Sequence, residues 1–142
     1  FIQPLTLQVL SQNTVHLDVM HEPFPDQVNH IQIGKETDLF IVVPATANTI
    51  AKLAHGFADN MVTATALALP HFVPKLLAPA MNTKMYDHPA TQANLKTLED
   101  YGYTIISPKD SLLACGDTGR GALADLETIL QEIKDKIHEQ TL

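Results

Sequence analysis

The chain has 142 residues, with 16 Asp plus Glu against 9 Lys plus Arg and a formal net charge of −7. That balance excludes a nucleic acid as the main partner, because phosphate contacts need clustered cations. A single cysteine excludes an internal disulfide and a cysteine-built metal site, and no apolar run approaches the roughly 18 residues that span a bilayer.

In chain order, PLTLQVLSQ (4–12) predicts a short helix, with Leu5, Leu7, Val9 and Leu10 apolar. HLDVMHEPFPDQ carries two prolines and reads as loop, and NHIQIGKETD (29–38) predicts a short polar helix. Leu39–Val43 is an uninterrupted aliphatic run ended by Pro44, the pattern of a strand buried on both faces of a parallel sheet. Thr46, Asn48 and Thr49 are good N-cap residues. They open a helix with Ile50, Leu53 and Ala54 on one face and Gly56 as its stop.

Residues 59–69, DNMVTATALAL, predict a second, largely buried helix, and KLLAPAMN a second apolar strand running into a polar loop. ATQANLKTLEDYG (90–102) predicts a helix burying Ala93, Leu95 and Leu98 and ending at Gly102; YTIIS follows as a third strand. Asp125 caps a last helix in which Leu126, Ile129, Leu130, Ile133 and Ile137 form one apolar stripe. Strands alternating with helices predict an α/β domain with a largely parallel sheet. Ligands of such sheets gather at the carboxyl ends of the strands, where both polar loops, PATANT and PAMNTKM, fall.

The small residues of PATANT would admit a flat ring or a phosphate to a helix N-terminus, although an ordinary helix cap has the same pattern. Asn82 could hold a carboxylate through its amide or simply form a turn, with Met81 and Met85 as core filler. His30 sits among apolar neighbours and is the histidine singled out for proton transfer. The other six histidines show no metal-ligand spacing, so no metal is expected. Cys115 stands before Gly116, Gly119 and Gly121. It is either a small buried residue or a thiol on a lid.

Three stretches together, HIQIGKETDLFIVVPATANTIAKLAHGFADN, LLAPAMNTKMYDHPATQANL and ACGDTGRGAL, resemble the flavin-dependent cysteine decarboxylases over essentially the whole chain. The resemblance implies a Rossmann-like, flavodoxin-like fold: three layers, a parallel sheet flanked by helices. It implies one flavoprotein domain over residues 1–142, lacking the family's N-terminal strand–helix–strand unit. FMN would contact Phe1, Thr46, Ala47, Asn48 and Thr49, with Thr46 standing where the family has Ser. The substrate would meet Asn82, Met85, Ala114 and Gly116, with Tyr86 where Trp is usual.

The ACGD-type loop points to the coenzyme A branch of the family, hence to phosphopantothenoylcysteine as the small-molecule substrate. A lantibiotic-type peptidyl-cysteine substrate, or a regulatory subunit binding FMN without turnover, are the alternatives. The implied chemistry is oxidation of the cysteine thiol carbon to a thioaldehyde, loss of CO2 to an enethiolate, and reduction. His30 would handle the thiol proton, Asn82 the carboxylate, and Cys115 would protonate the enethiolate. The resemblance further implies a homotrimer or multiple of trimers with FMN near the subunit contact, in the cytoplasm. The apolar stretch 59–69 suits either core or such a contact.

Overall fold

The computed structural model describes residues 2–21, 28–112 and 118–140. Helices α1 (Pro4–Ser11) and α2 (Asn29–Glu36) precede strand β1 (Phe40–Ala45), helices α3 (Ala47–Ala54) and α4 (Met61–Ala68) and strand β2 (Lys75–Pro79). After a single helical turn, α5 (Thr83–Tyr86), come α6 (Pro89–Asp100), β3 (Tyr103–Ile105), the strands β4 (Lys109–Leu112) and β5 (Thr118–Ala122), and α7 (Leu126–Gln140). No helix among the described residues is long and apolar enough to cross a membrane.

β1, β2 and β3 form a parallel sheet in that order, with Ile41 opposite Leu76 and Leu76 opposite Thr104. β2 lies in the middle. Side chains alternate across a strand, so Leu77 enters one core layer while Leu76 and Ala78 enter the other. The first layer joins Val42, Ile50, Leu53, Leu95 and Leu98 beneath α3 and α6. The second joins Leu76, Ala78, Ile106 and Ala124 to Ile129 of α7. The result is the expected α/β architecture of helix layers on both sides of a parallel sheet.

Several local expectations differ from the structure for identifiable reasons. Pro44 does not end β1. The register slips between Val42 and Ala45, and Ala45 pairs with Pro79, so the strand carries a bulge where Pro can sit without donating to the ladder. β1 meets both layers, Phe40 and Val42 on one side and Ile41 on the other, but its end is open, with Val43 43% exposed. α4 buries Met61, Thr63, Ala64 and Thr65 but leaves Val62 and Leu67 in the open. Its buried Thr63 serves the capping box with Asn60.

On α6 the third buried position is Thr91, not Ala93. The α7 stripe is only half used: Ile129 is buried and Ile133 partly so, whereas Leu126, Leu130 and Ile137 are exposed. Asp125 does head α7, its carbonyl accepting from the Ile129 N–H at 3.1 Å, and its carboxylate pairs with Lys109.

These burials set contrasting mutational costs. Leu77→Ala, in the closed layer, should lower stability by about 2–5 kcal/mol in urea unfolding. Leu126→Ala should stay within about 0.5 kcal/mol. An equal cost at the two positions would mean that another surface covers α7.

Candidate functional site

The carboxyl ends of β1 and β2 lie side by side, because the two strands are parallel neighbours. At the first end Thr46 stays extended (φ −80°, ψ 159°) and caps α3, its Oγ1 accepting from the Thr49 N–H at 3.3 Å. The same hydroxyl lies 3.2 Å from the Thr49 hydroxyl. The Ala47 and Asn48 N–H groups open the helix, where intrahelical acceptors do not exist. Ala45 is fully buried beneath them. The motif thus presents hydroxyls, an amide and a helix N-terminus above a floor of small side chains.

At the second end Asn82 caps α5, its Oδ1 accepting from the Lys84 N–H at 2.9 Å. Oxygen at that end of the amide leaves N–H donors at the other, the polarity a carboxylate requires. Met85 is half exposed, whereas Tyr86 is buried in the core with α6. Its carbonyl accepts from Gln92 Nε2 at 2.6 Å. Tyr86 is therefore a core residue here.

β4 and β5 form an antiparallel hairpin, from Asp110 opposite Arg120 to Leu112 opposite Thr118. β5 lies against α5. Gly121 adopts φ +149°, and a Cβ there would run into the Met81 carbonyl oxygen. A Cβ on Gly119 would stand 2.8 Å from the Thr83 hydroxyl. Two backbone bonds fasten the motifs together: Ala80 N–H to Ala45 carbonyl at 3.0 Å, and Met81 N–H to Gly121 carbonyl at 2.9 Å. PATANT, PAMN and the glycine strand therefore meet at one sheet edge.

Phe1, Ala114, Cys115 and Gly116 lie outside the described residues; the hairpin pair Leu112–Thr118 brackets the last three. His30 is the second residue of α2, which packs on α4. Its Nδ1 is buried with no hydrogen-bond partner. The bonds that join the other three motifs do not include α2. Thr83, Gly119 and Gly121 carry no chemistry that marks them as site residues in the sequence. The available signal was G-x-G spacing, which places two glycines on one face of a strand and marks close approach by another backbone.

Residues 1–138 match the family described as Flavoprotein. A probable phosphopantothenoylcysteine decarboxylase of Streptococcus mutans is 61% identical over 137 residues, 96% of this chain and 76% of that protein. A mutant PPC decarboxylase solved in complex with pantothenoylaminoethenethiol superposes with TM-score 0.80 at 34% identity, covering 85% of this chain and 69% of the other. SpaF, an FMN-dependent cysteine decarboxylase, superposes with TM-score 0.81 at 30% identity, covering 100% and 74%.

The glycine contacts give a direct test. Gly121→Ala must push β5 away from Met81, and should cost well over the roughly 1 kcal/mol expected where only a left-handed φ is at stake. Gly56→Ala, with φ +70° and open space around it, is that reference. Limited proteolysis should cut the hairpin of the Gly121 variant faster and leave the Gly56 variant as resistant as the parent.

Proposed function

We propose that this chain, which belongs to the flavoprotein family, uses FMN to decarboxylate phosphopantothenoylcysteine to phosphopantetheine in coenzyme A synthesis. The observation that carries the reading is the joining of PATANT, PAMN and the ACGD-bearing hairpin by two backbone hydrogen bonds at one sheet edge. The 61% identity to the Streptococcus mutans protein supports the choice of substrate.

The residues fit the cofactor. A flat, oxygen-rich ring finds small side chains at Ala45 and Ala47 and donors from Thr46, Asn48, Thr49 and the first turn of α3. Bound FMN supplies a two-electron acceptor for the carbon carrying the substrate thiol. The protein has the remaining tasks. Loss of CO2 needs the carboxylate held without a full counter-charge, which would favour the ground state over the transition state. The Asn82 amide, fixed by its cap to Lys84, does this.

His30, with its buried and unpartnered Nδ1, accepts the substrate thiol proton. Cys115, on the segment that the hairpin carries, returns a proton to the enethiolate. An ordinary thiol, with a pKa of about 8.5, is mostly protonated at neutral pH. Met85, Ala114 and Gly116 complete the substrate contacts and Phe1 the flavin contacts. The hairpin, bonded to Met81 beside Asn82, would help exclude water.

The chain works in the cytoplasm as one flavoprotein domain, and assembles as a homotrimer or a multiple of it with FMN near the contact. The assembly is supported by α1, none of whose residues is buried although Leu5, Val9 and Leu10 are apolar. Such a short helix needs a covering surface to persist.

The deciding experiment is anaerobic addition of phosphopantothenoylcysteine to the purified protein with FMN. Flavin absorbance should bleach and recover, and mass spectrometry should find phosphopantetheine; a spectrum unmoved by substrate would refute the reading. Asn82→Asp should keep the α5 cap, since Asp caps as well as Asn. It should nevertheless raise KM at least about tenfold through carboxylate repulsion. His30→Asn should bind FMN but fail to bleach, and Cys115→Ser should accumulate an oxidised product that has lost CO2.

A further inference from the structure

At the amino ends of β2 and β3, opposite the site described above, lies a cleft of about 510 Å³. That volume is in the range of small-molecule sites, roughly 300–1,000 Å³. Leu53, Phe57, Leu67 and Tyr101 give it an apolar trough, and Lys75 also lines it. As the first residue of β2, Lys75 has its backbone fixed between Phe40 and Tyr103. Its ammonium lies 5.9 Å from the centre of the Tyr103 ring and donates weakly to the Val73 carbonyl at 3.5 Å.

Lys75 has no carboxylate within ion-pair reach among the described residues, as is also true of Lys35, Lys84, Lys134 and Arg120; it is the one of these five that lines the cleft. In a chain of net charge −7, a lysine that lines a cleft without an acidic neighbour keeps its charge for an anion from outside. A second cleft of about 360 Å³ shares His71, Lys75 and Tyr101 with the first. Its carboxylate, Glu139, is already bound by Lys136 at 2.8 Å. A half-buried cation lining an apolar trough, with no acidic partner among the described residues, selects a ligand that has both parts.

We propose that this cleft is a second ligand site for an amphipathic organic anion. An aromatic or acyl body lies along Phe57, Leu67 and Tyr101, and a phosphate or carboxylate meets Lys75. The site does not depend on the decarboxylase reading. The four steps of β2 from Lys75 to Pro79 separate it from the Asn82 edge by about 13 Å, so the two can be occupied together.

Calorimetric titration of the FMN-loaded protein, freed of excess FMN by desalting, tests this, the bound FMN keeping the probe off the cofactor site. Naphthyl phosphate should bind once per chain, at least about tenfold more tightly than naphthol, the increment of one charged hydrogen bond. Inorganic phosphate alone should bind far more weakly than naphthyl phosphate. Lys75→Met should erase the preference for naphthyl phosphate over naphthol. Ala66→Phe, which fills the trough, should block both. No saturable heat from naphthyl phosphate would overturn the proposal, including the case where another copy covers the cleft. So would a preference unchanged in Lys75→Met, and that outcome counts even if the filled variant fails to fold.

Discussion

Two backbone hydrogen bonds, Ala80 to Ala45 and Met81 to Gly121, hold the functional edge together. A parallel ladder stops where its strands diverge, and the amides just beyond must find other partners. Here they find each other and the returning hairpin. Each bond contributes only about 1 kcal/mol net, so their importance is geometric. They fix where PATANT starts, where the Asn82 loop leaves β2, and how far β5 can stand off. The second bond exists only because position 121 has no side chain: with a Cβ present the Met81 carbonyl and β5 could not be this close.

The strands and most helices could be read from the sequence because their causes are local. Phe40–Val42, Leu76–Ala78 and the Ile50, Leu53, Ala54 face each follow one period, and each is buried or packed accordingly. Where the cause is not local, the reading fails. Pro44 looks like a strand end, but the partner strand accommodates it through a register shift. The α7 stripe looks like a buried face, but only as much of it is covered as the sheet opposite can reach. The hairpin was invisible: KDSL and TGRGA lack alternating apolar residues, and β5 takes its place from the neighbouring loop.

The candidate site divides the same way. Thr46 was recognisable as a cap because capping is a short-range event, and Asn82, read as a carboxylate-holding amide or a turn former, stands as a cap as well. His30 could be singled out as a residue type, but not its setting on a helix packed against α4, which depends on tertiary contact. The buried hydroxyl of Thr83 had no signal at all. It acquires interest only because Gly119 sits against it and it has no hydrogen-bond partner. The alternation of Gly119 and Gly121 could have been read as a strand face under another backbone, but its composition looks like a loop.

The charge of the chain explains why both ends of β2 are built as they are. A net charge of −7 sets up a field that opposes phosphates and carboxylates, and at physiological salt that field is screened beyond about 8 Å. Anion recognition must therefore come from donors in contact with the ligand. At the carboxyl end those donors are neutral: the first turn of α3 and an amide at Asn82. In the proposed reaction the Asn82 amide would hold a carboxylate without trapping it, as a group that must leave as CO2 requires. At the amino end the proposed donor is a lysine without a carboxylate partner among the described residues, a charged contact suited to a ligand that is bound and not transformed. The same strand thus separates two kinds of anion contact by the chemistry placed at its two ends.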